Sequence, residues 1–144
     1  MVLLVKTIIT LGIILLFALV LFFLNRTSRK KRLIAINSSR SLLSRDRYLG
    51  IHVPMGFKKR HVEVLYDVLH DSIGIIGFCL HPDDDIIKMY EVADLDELIE
   101  NMCTKLGLRK PLQEDFDHMQ EQFKIITAEV VLTLLKRLDQ ETSK

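Results

Sequence analysis

Apolar and polar positions alternate with three different rhythms along this chain. The first is no rhythm at all: residues 7–24 (TIITLGIILLFALVLFFL) run for eighteen positions without a charge. A bilayer core about 30 Å thick is spanned by roughly 20 apolar helical residues at about 1.5 Å each. Residues 7–24 cover about 27 Å at that rise; Val2, Leu3, Leu4 and Val5 extend the apolar surface, and the Lys6 stem can snorkel to the headgroups. Each Leu, Ile, Phe or Val at a helix centre favours insertion by roughly 0.3 to 0.6 kcal/mol, about 6 kcal/mol in sum. The run is apolar all round, unlike the one-sided stripe of a surface helix. A cleaved signal peptide would need a shorter core and a small-residue cleavage site, whereas Asn25-Arg26-Thr27-Ser28-Arg29 follows. The pattern predicts a single transmembrane helix, which Leu33 to Ile36 prolong by a turn.

The second rhythm is helical. Leu95, Leu98, Ile99, Met102 and Leu106 form one stripe between Asp94, a helix-capping residue with Glu97 three places on, and Gly107, a helix-stopping glycine. Pro111 suits the first turn of a further helix, and Phe116, Met119, Phe123, Ile126 and Val130 carry its stripe towards Leu138 without interruption. Residues 57–71 fit both a helix (Val62, Leu65, Tyr66, Leu69) and a strand (Val62, Val64, Tyr66, Val68), and their length favours helix. The third rhythm is strand-like. Residues 49–53 before Pro54 read as a short extended piece. Residues 73–80 (IGIIGFCL), apolar on both faces, read as a buried central strand, His81 to Asp85 as a turn, and residues 86–92 as the return strand. The expected fold class is α+β: an anchor over residues 1–36, a linker over 37–47, and a small domain over 48–144 with a short antiparallel sheet covered by two to three helices.

Charge adds orientation. Arg26, Arg29, Lys30, Lys31 and Arg32 follow the apolar run, while Lys6 stands alone before it. The positive-inside rule then puts the N-terminus outside and the domain in the cytoplasm, at a cell inner membrane. The same arm meets anionic headgroups, at about 1 kcal/mol per cation near the surface. Residues 61–144 carry 8 Lys or Arg against 18 Asp or Glu, a balance of −10. Such a domain would repel phosphates, and the arm has few aromatics, so nucleic acid is excluded as a partner.

Candidate chemistry is sparse. Cys79 and Cys103 form no C-x-x-C pair and read as buried thiols. His81, Asp83, Asp84 and Asp85 are the densest group of metal-capable side chains, but consecutive carboxylates point in different directions and no EF-hand spacing surrounds them. Glu114, Asp115 and His118 supply one Asp-x-x-His where a di-iron bundle needs a repeated Glu-x-x-His. No G-x-S-x-G and no phosphate-cradling glycine loop occur, and no cofactor is implied. The expectation is a membrane-anchored protein–protein interaction module whose acidic turn (His81, Asp83, Asp84, Asp85) steers a basic partner, with self-association through the C-terminal helix. The alternatives are a small membrane-tethered metal-dependent hydrolase built on that turn, and an immunity or accessory protein of a membrane-associated system.

Overall fold

The computed structural model describes residues 2–142, apart from the side chains of residues 2–5 and 8, so the apolar extension expected from Val2 to Val5 lies outside the described side chains. The chain divides into two compact units, Met1–Ile36 and Asn37–Lys144. The described residues of the first unit are helical, within α1 (Val2–Ser38). Ile9–Ser38 is long and apolar enough to cross a membrane. Leu11, Leu16 and Phe17 are 61%, 65% and 64% exposed, so this surface has no apolar cover from the protein itself. Inside the apolar run the Thr10 hydroxyl donates to the Lys6 carbonyl at 2.9 Å, which satisfies it without water.

Among the described residues the second unit has six helices: α2 (Arg45–His52), α3 (Lys59–Ile73), α4 (Ile86–Tyr90), α5 (Leu95–Leu106), α6 (Gln113–Gln122) and α7 (Ala128–Thr142). α3 packs against α2, α5 and α7, and α6 packs against α7. Val62 and Leu65 of α3, Ile99 and Met102 of α5, and Val131, Leu132, Leu135 and Leu138 of α7 are fully buried. α5 starts and stops as its sequence predicts: Asp94 accepts the Glu97 N–H at 3.0 Å, and Gly107 ends it at φ 70°. The ambiguous residues 57–71 are helical from Lys59 onward, as part of α3, which Gly74 closes at φ 66°.

The expected sheet is absent: the described residues are 71% helix with no strand, so the fold is all-helical and not α+β. Each of the three expected strands has a physical reason to be something else. Residues 49–53 join a helix because the Ser44 hydroxyl caps it from the Arg47 N–H, and Tyr48, Leu49 and His52 are buried at helical spacing. Val53, despite preceding Pro54, stays helical at φ −60° and ψ −44°. Residues 86–92 form α4 because the Asp85 carboxylate accepts the N–H groups of both Ile87 and Lys88 at 3.1 Å. Ile86 and Tyr90, four apart, are then its buried face.

Residues 73–80 fail as a strand at their glycines. Gly74 and Gly77 both adopt positive φ (66° and 72°), and the Phe78 N–H bonds back to the Ile75 carbonyl, so the run folds into a turn. Its buried end is paired by a side chain instead of a neighbouring strand. The Asn37 amide donates to the Gly77 carbonyl at 3.3 Å and accepts the Cys79 N–H at 2.8 Å. The long final helix is likewise interrupted, since Phe123 is extended and residues 123–127 link α6 to α7. The Ile126 carbonyl is turned to the Ile86 N–H at 2.8 Å, which ties this link to the start of α4.

The Asn37 pairing sets a stability prediction. Asn37→Ala leaves the part-buried Cys79 N–H without its acceptor, while water replaces the bond to the exposed Gly77 carbonyl, and lowers unfolding stability by about 1 kcal/mol. Gly77→Ala costs about 1 kcal/mol through its left-handed backbone. Ile76→Ser, on a fully exposed side chain, changes it by less than about 0.5 kcal/mol. Denaturant unfolding of the full chain in mild detergent measures all three.

Candidate functional site

A concave feature of about 550 Å³ lies between the start of α2 and the middle of α3. Leu42, Leu43 and Ser44 form one wall, Tyr66 and His70 the other, and Gly77, Phe78 and Cys79 the floor. Helical spacing builds the second wall: Tyr66 and His70, four apart on α3, stack at 6.1 Å with planes 12° apart. Tyr48 braces Tyr66 edge-on at 5.2 Å. Arg45 sits 5.8 Å from the Tyr66 ring centre and bonds Asp67 through two nitrogens, at 3.2 and 3.1 Å. Burial pushes the Tyr66 phenol above its ordinary range, with the Cys79 thiol adding to it. Arg45 and Arg47 both line this cleft, and no carboxylate does. An adjoining hollow of about 540 Å³ shares Arg45, Tyr66 and His70 and adds Asp67, Asp71 and Lys105.

The residues expected to face a partner are largely engaged inside the domain. Asp84 accepts two bonds from the Arg40 guanidinium, at 2.5 and 2.9 Å, and one from the Tyr90 hydroxyl at 2.6 Å. Burial, and then this carboxylate, raise the Tyr90 phenol far above its usual value, so it stays a donor. Asp85 caps α4, and a His81 ring nitrogen lies 3.2 Å from the Ser41 carbonyl. Of the three aspartates, Asp83 is exposed, while Asp84 and Asp85 are half-buried. The turn is therefore a strut between residues 40–41 and α4. No three His, Cys, Asp or Glu side chains come together to hold a metal ion among the described residues.

Arg26, Arg29, Lys30, Lys31 and Arg32 all lie on α1. Arg26, Arg29 and Lys30 share one side at helical spacing, while Lys31 and Arg32 turn away from it, so the positive charge surrounds the helix. Asp115, read in the sequence beside His118, is a buried junction. It bonds Arg109 at 2.8 Å, Arg137, and the Leu112 N–H at 2.9 Å. Burial alone would raise its carboxyl; the Arg109 bond, the Leu112 N–H and the two guanidinium charges outweigh this and bring it below the ordinary range. His118 remains exposed.

An acidic surface that sequence spacing concealed spans the start of α5 and α6. Asp94, Asp96 and Glu100 stand near Asp117, and the Asp96 carboxyl is raised first by burial and then by these three like charges. The apolar arc of α7, expected to serve self-association, is spent in the core, and Glu129, Thr133, Lys136 and Gln140 form its exposed face. No family model, curated protein or solved structure matches this chain.

Two buried histidines near the cleft give the domain a pH response. His52 is 1% exposed, its two ring nitrogens have no hydrogen bond, and it packs edge-on to Tyr48 at 4.9 Å. His61 is 4% exposed, with one nitrogen 3.8 Å from Asp139. Burial lowers both pKa values, against the upward pull of Glu129 and Asp83 on His52 and of Asp139 on His61. The native state thus binds fewer protons than the unfolded chain below about pH 6.5, and stability present above that pH is lost as pH falls. Denaturant midpoints should decline from about pH 6.5 downwards, before carboxylates protonate near pH 4. His52→Leu should make that decline shallower.

Proposed function

We propose that this chain is a single-pass, membrane-anchored interaction module, with its N-terminus outside and its helical domain on the cytoplasmic side of a cell inner membrane. The observation that carries the reading is the division of charge. Residues 1–36 hold six Lys and Arg and no acid, five of them directly after the apolar run. Residues 37–144 hold fourteen Lys and Arg against nineteen Asp and Glu, a balance of −5. A cationic ring beside an apolar helix suits a cytoplasmic headgroup layer. The acidic domain beyond it suits a basic protein partner, whose approach the field would steer and whose competitors it would repel.

The surface assigned to that partner is Asp94, Asp96, Glu100 and Asp117. Asp83 alone of the acidic turn adds to this field from the surface, because Asp84 and Asp85 are held internally. The raised Asp96 carboxyl supports this assignment, since like charges held together gain from a cation placed among them. The hydrolase reading stays as the alternative, with Asp84 bonded to Arg40 and Asp85 capping α4, and no catalytic step is assigned to it.

Two experiments test the parts separately. A reporter fused after Lys144 should be shielded from outside reagents in intact cells, and the chain should stay with membranes after alkaline carbonate washing. Replacing Leu16 and Phe17 by Arg, at roughly 3 kcal/mol each against insertion, should release it. In-cell crosslinking should give an adduct with a basic protein that weakens with salt and is lost in the charge reversal Asp96→Lys, Asp117→Lys. An adduct unchanged by that reversal would remove the acidic surface from the reading.

A further inference from the structure

A socket of about 170 Å³ opens between α6 and α7. Its walls are largely apolar, with Met119 and Phe123 on one side and Val130 and Leu134 on the other. Phe123 is 38% exposed there, on extended backbone just past the end of α6. The volume suits one large side chain and falls below the roughly 300 Å³ at which small-molecule sites begin. At one end the socket continues into a hollow of about 440 Å³, which shares Asp115, His118 and Arg137 with it and reaches Glu114 and Glu141. The two form one groove, apolar at one end and polar at the other.

Charge along this groove is one-sided. Residues 113–142 carry three Lys and Arg against seven Asp and Glu, a balance of −4. Arg109 and Arg137, the guanidinium groups of the hollow, are both bonded to Asp115, and Lys136 reaches the Gly56 carbonyl. Glu114, Glu121 and Glu129 are exposed, and among the described residues no ion pair takes them. Glu114 lines the hollow. Glu121 lies three places from His118 on α6, and Glu129 four places from Thr133 on α7, so both flank the socket that His118 and Thr133 line. A rim of this kind repels an acyl anion and favours an apolar side chain carried on a cationic chain. From Gln122, at the socket, to Glu114 is eight residues of α6. That is about 12 Å, the span of about four residues in an extended peptide.

We propose that the groove between α6 and α7 docks an extended cationic segment of a partner protein, with one large apolar side chain in the socket and a Lys or Arg about four residues away at Glu114. This rests on the basic-partner reading above and gives that partner its anchor. Asp117, which belongs to the acidic surface, sits on the same helix between Glu114 and Glu121. Anchor and field thus act on one ligand: the carboxylates bring it in, and the socket holds it.

The probe is a short Gly-Ser peptide, labelled with fluorescein, that carries several lysines and one phenylalanine about four residues from the nearest of them. The full-length chain in phosphatidylcholine nanodiscs titrates it by fluorescence anisotropy, with empty nanodiscs subtracted. The phenylalanine peptide should bind about tenfold tighter than its alanine version, as burial of one aromatic side chain allows. Thr133→Trp, at an exposed position lining the socket, should erase that difference and leave the weak, salt-sensitive binding that both peptides share. Glu114→Lys together with Glu121→Lys, both at exposed positions, should weaken both peptides severalfold with helical circular dichroism unchanged. Equal binding of the two peptides overturns the groove and leaves the acidic surface standing, as does a difference that survives Thr133→Trp. Tighter binding of a phenylalanine peptide bearing aspartates in place of lysines gives the socket to an anionic amphiphile and overturns the proposal. A photocrosslinker in place of Gln122 that, in cells, joins the chain only to itself gives the groove to a second copy and also overturns it. Binding of neither lysine peptide at low salt overturns the groove and the basic-partner reading together.

Discussion

Burial of one helix organises the second unit. α3 packs its Val62, Leu65 and Leu69 into the core against α5 and α7, and its other side carries Tyr66, Asp67 and His70. Core and cleft are thus two faces of one rigid element. Leu65 and Leu69 are buried to within 1%, which leaves α3 little freedom to rotate. The stacking of Tyr66 on His70 and the fork between Arg45 and Asp67 are set by that rotation as much as by their own chemistry. A cavity cut beneath α3 would disturb the cleft without touching any residue that lines it.

Local signals carried much of the helical content. The stripe and both caps of α5, the unbroken apolar run of α1, and the spacing of Val62, Leu65 and Leu69 were legible because each is a property of neighbouring residues. The strands were misread for the complementary reason. Apolar residues at 73–80 fit a buried strand by composition, but two glycines at positive φ and a distant asparagine decide the backbone there. Residues 86–90 are too few for periodicity to separate helix from strand, and the deciding feature is the Asp85 cap, which looked like part of a loop.

Of the candidate site, the charge layout was legible and its use was not. Arg40 and Asp84 lie 44 positions apart, so nothing near Asp84 announces that its charge is already answered. The acidic surface made by α5 and α6 joins residues 94 and 117, which come together only through folding. The cleft draws on residues 42–47, 66–70 and 77–79, three segments with different apparent roles in the sequence.

The Asn37 clamp has a kinetic consequence. A strand in a sheet is released only when its whole ladder lets go, whereas the backbone of Gly77 and Cys79 is paired by a single amide side chain, with Phe78 packed into the core between them. One rotation of that side chain frees the Gly77 carbonyl and the Cys79 N–H together. That pairing breaks by a side-chain rotation while Phe78 stays in the core, ahead of global unfolding. The Cys79 amide hydrogen should exchange with solvent deuterium through brief local excursions, while the amides of α3 and α7 wait for the whole domain to come apart.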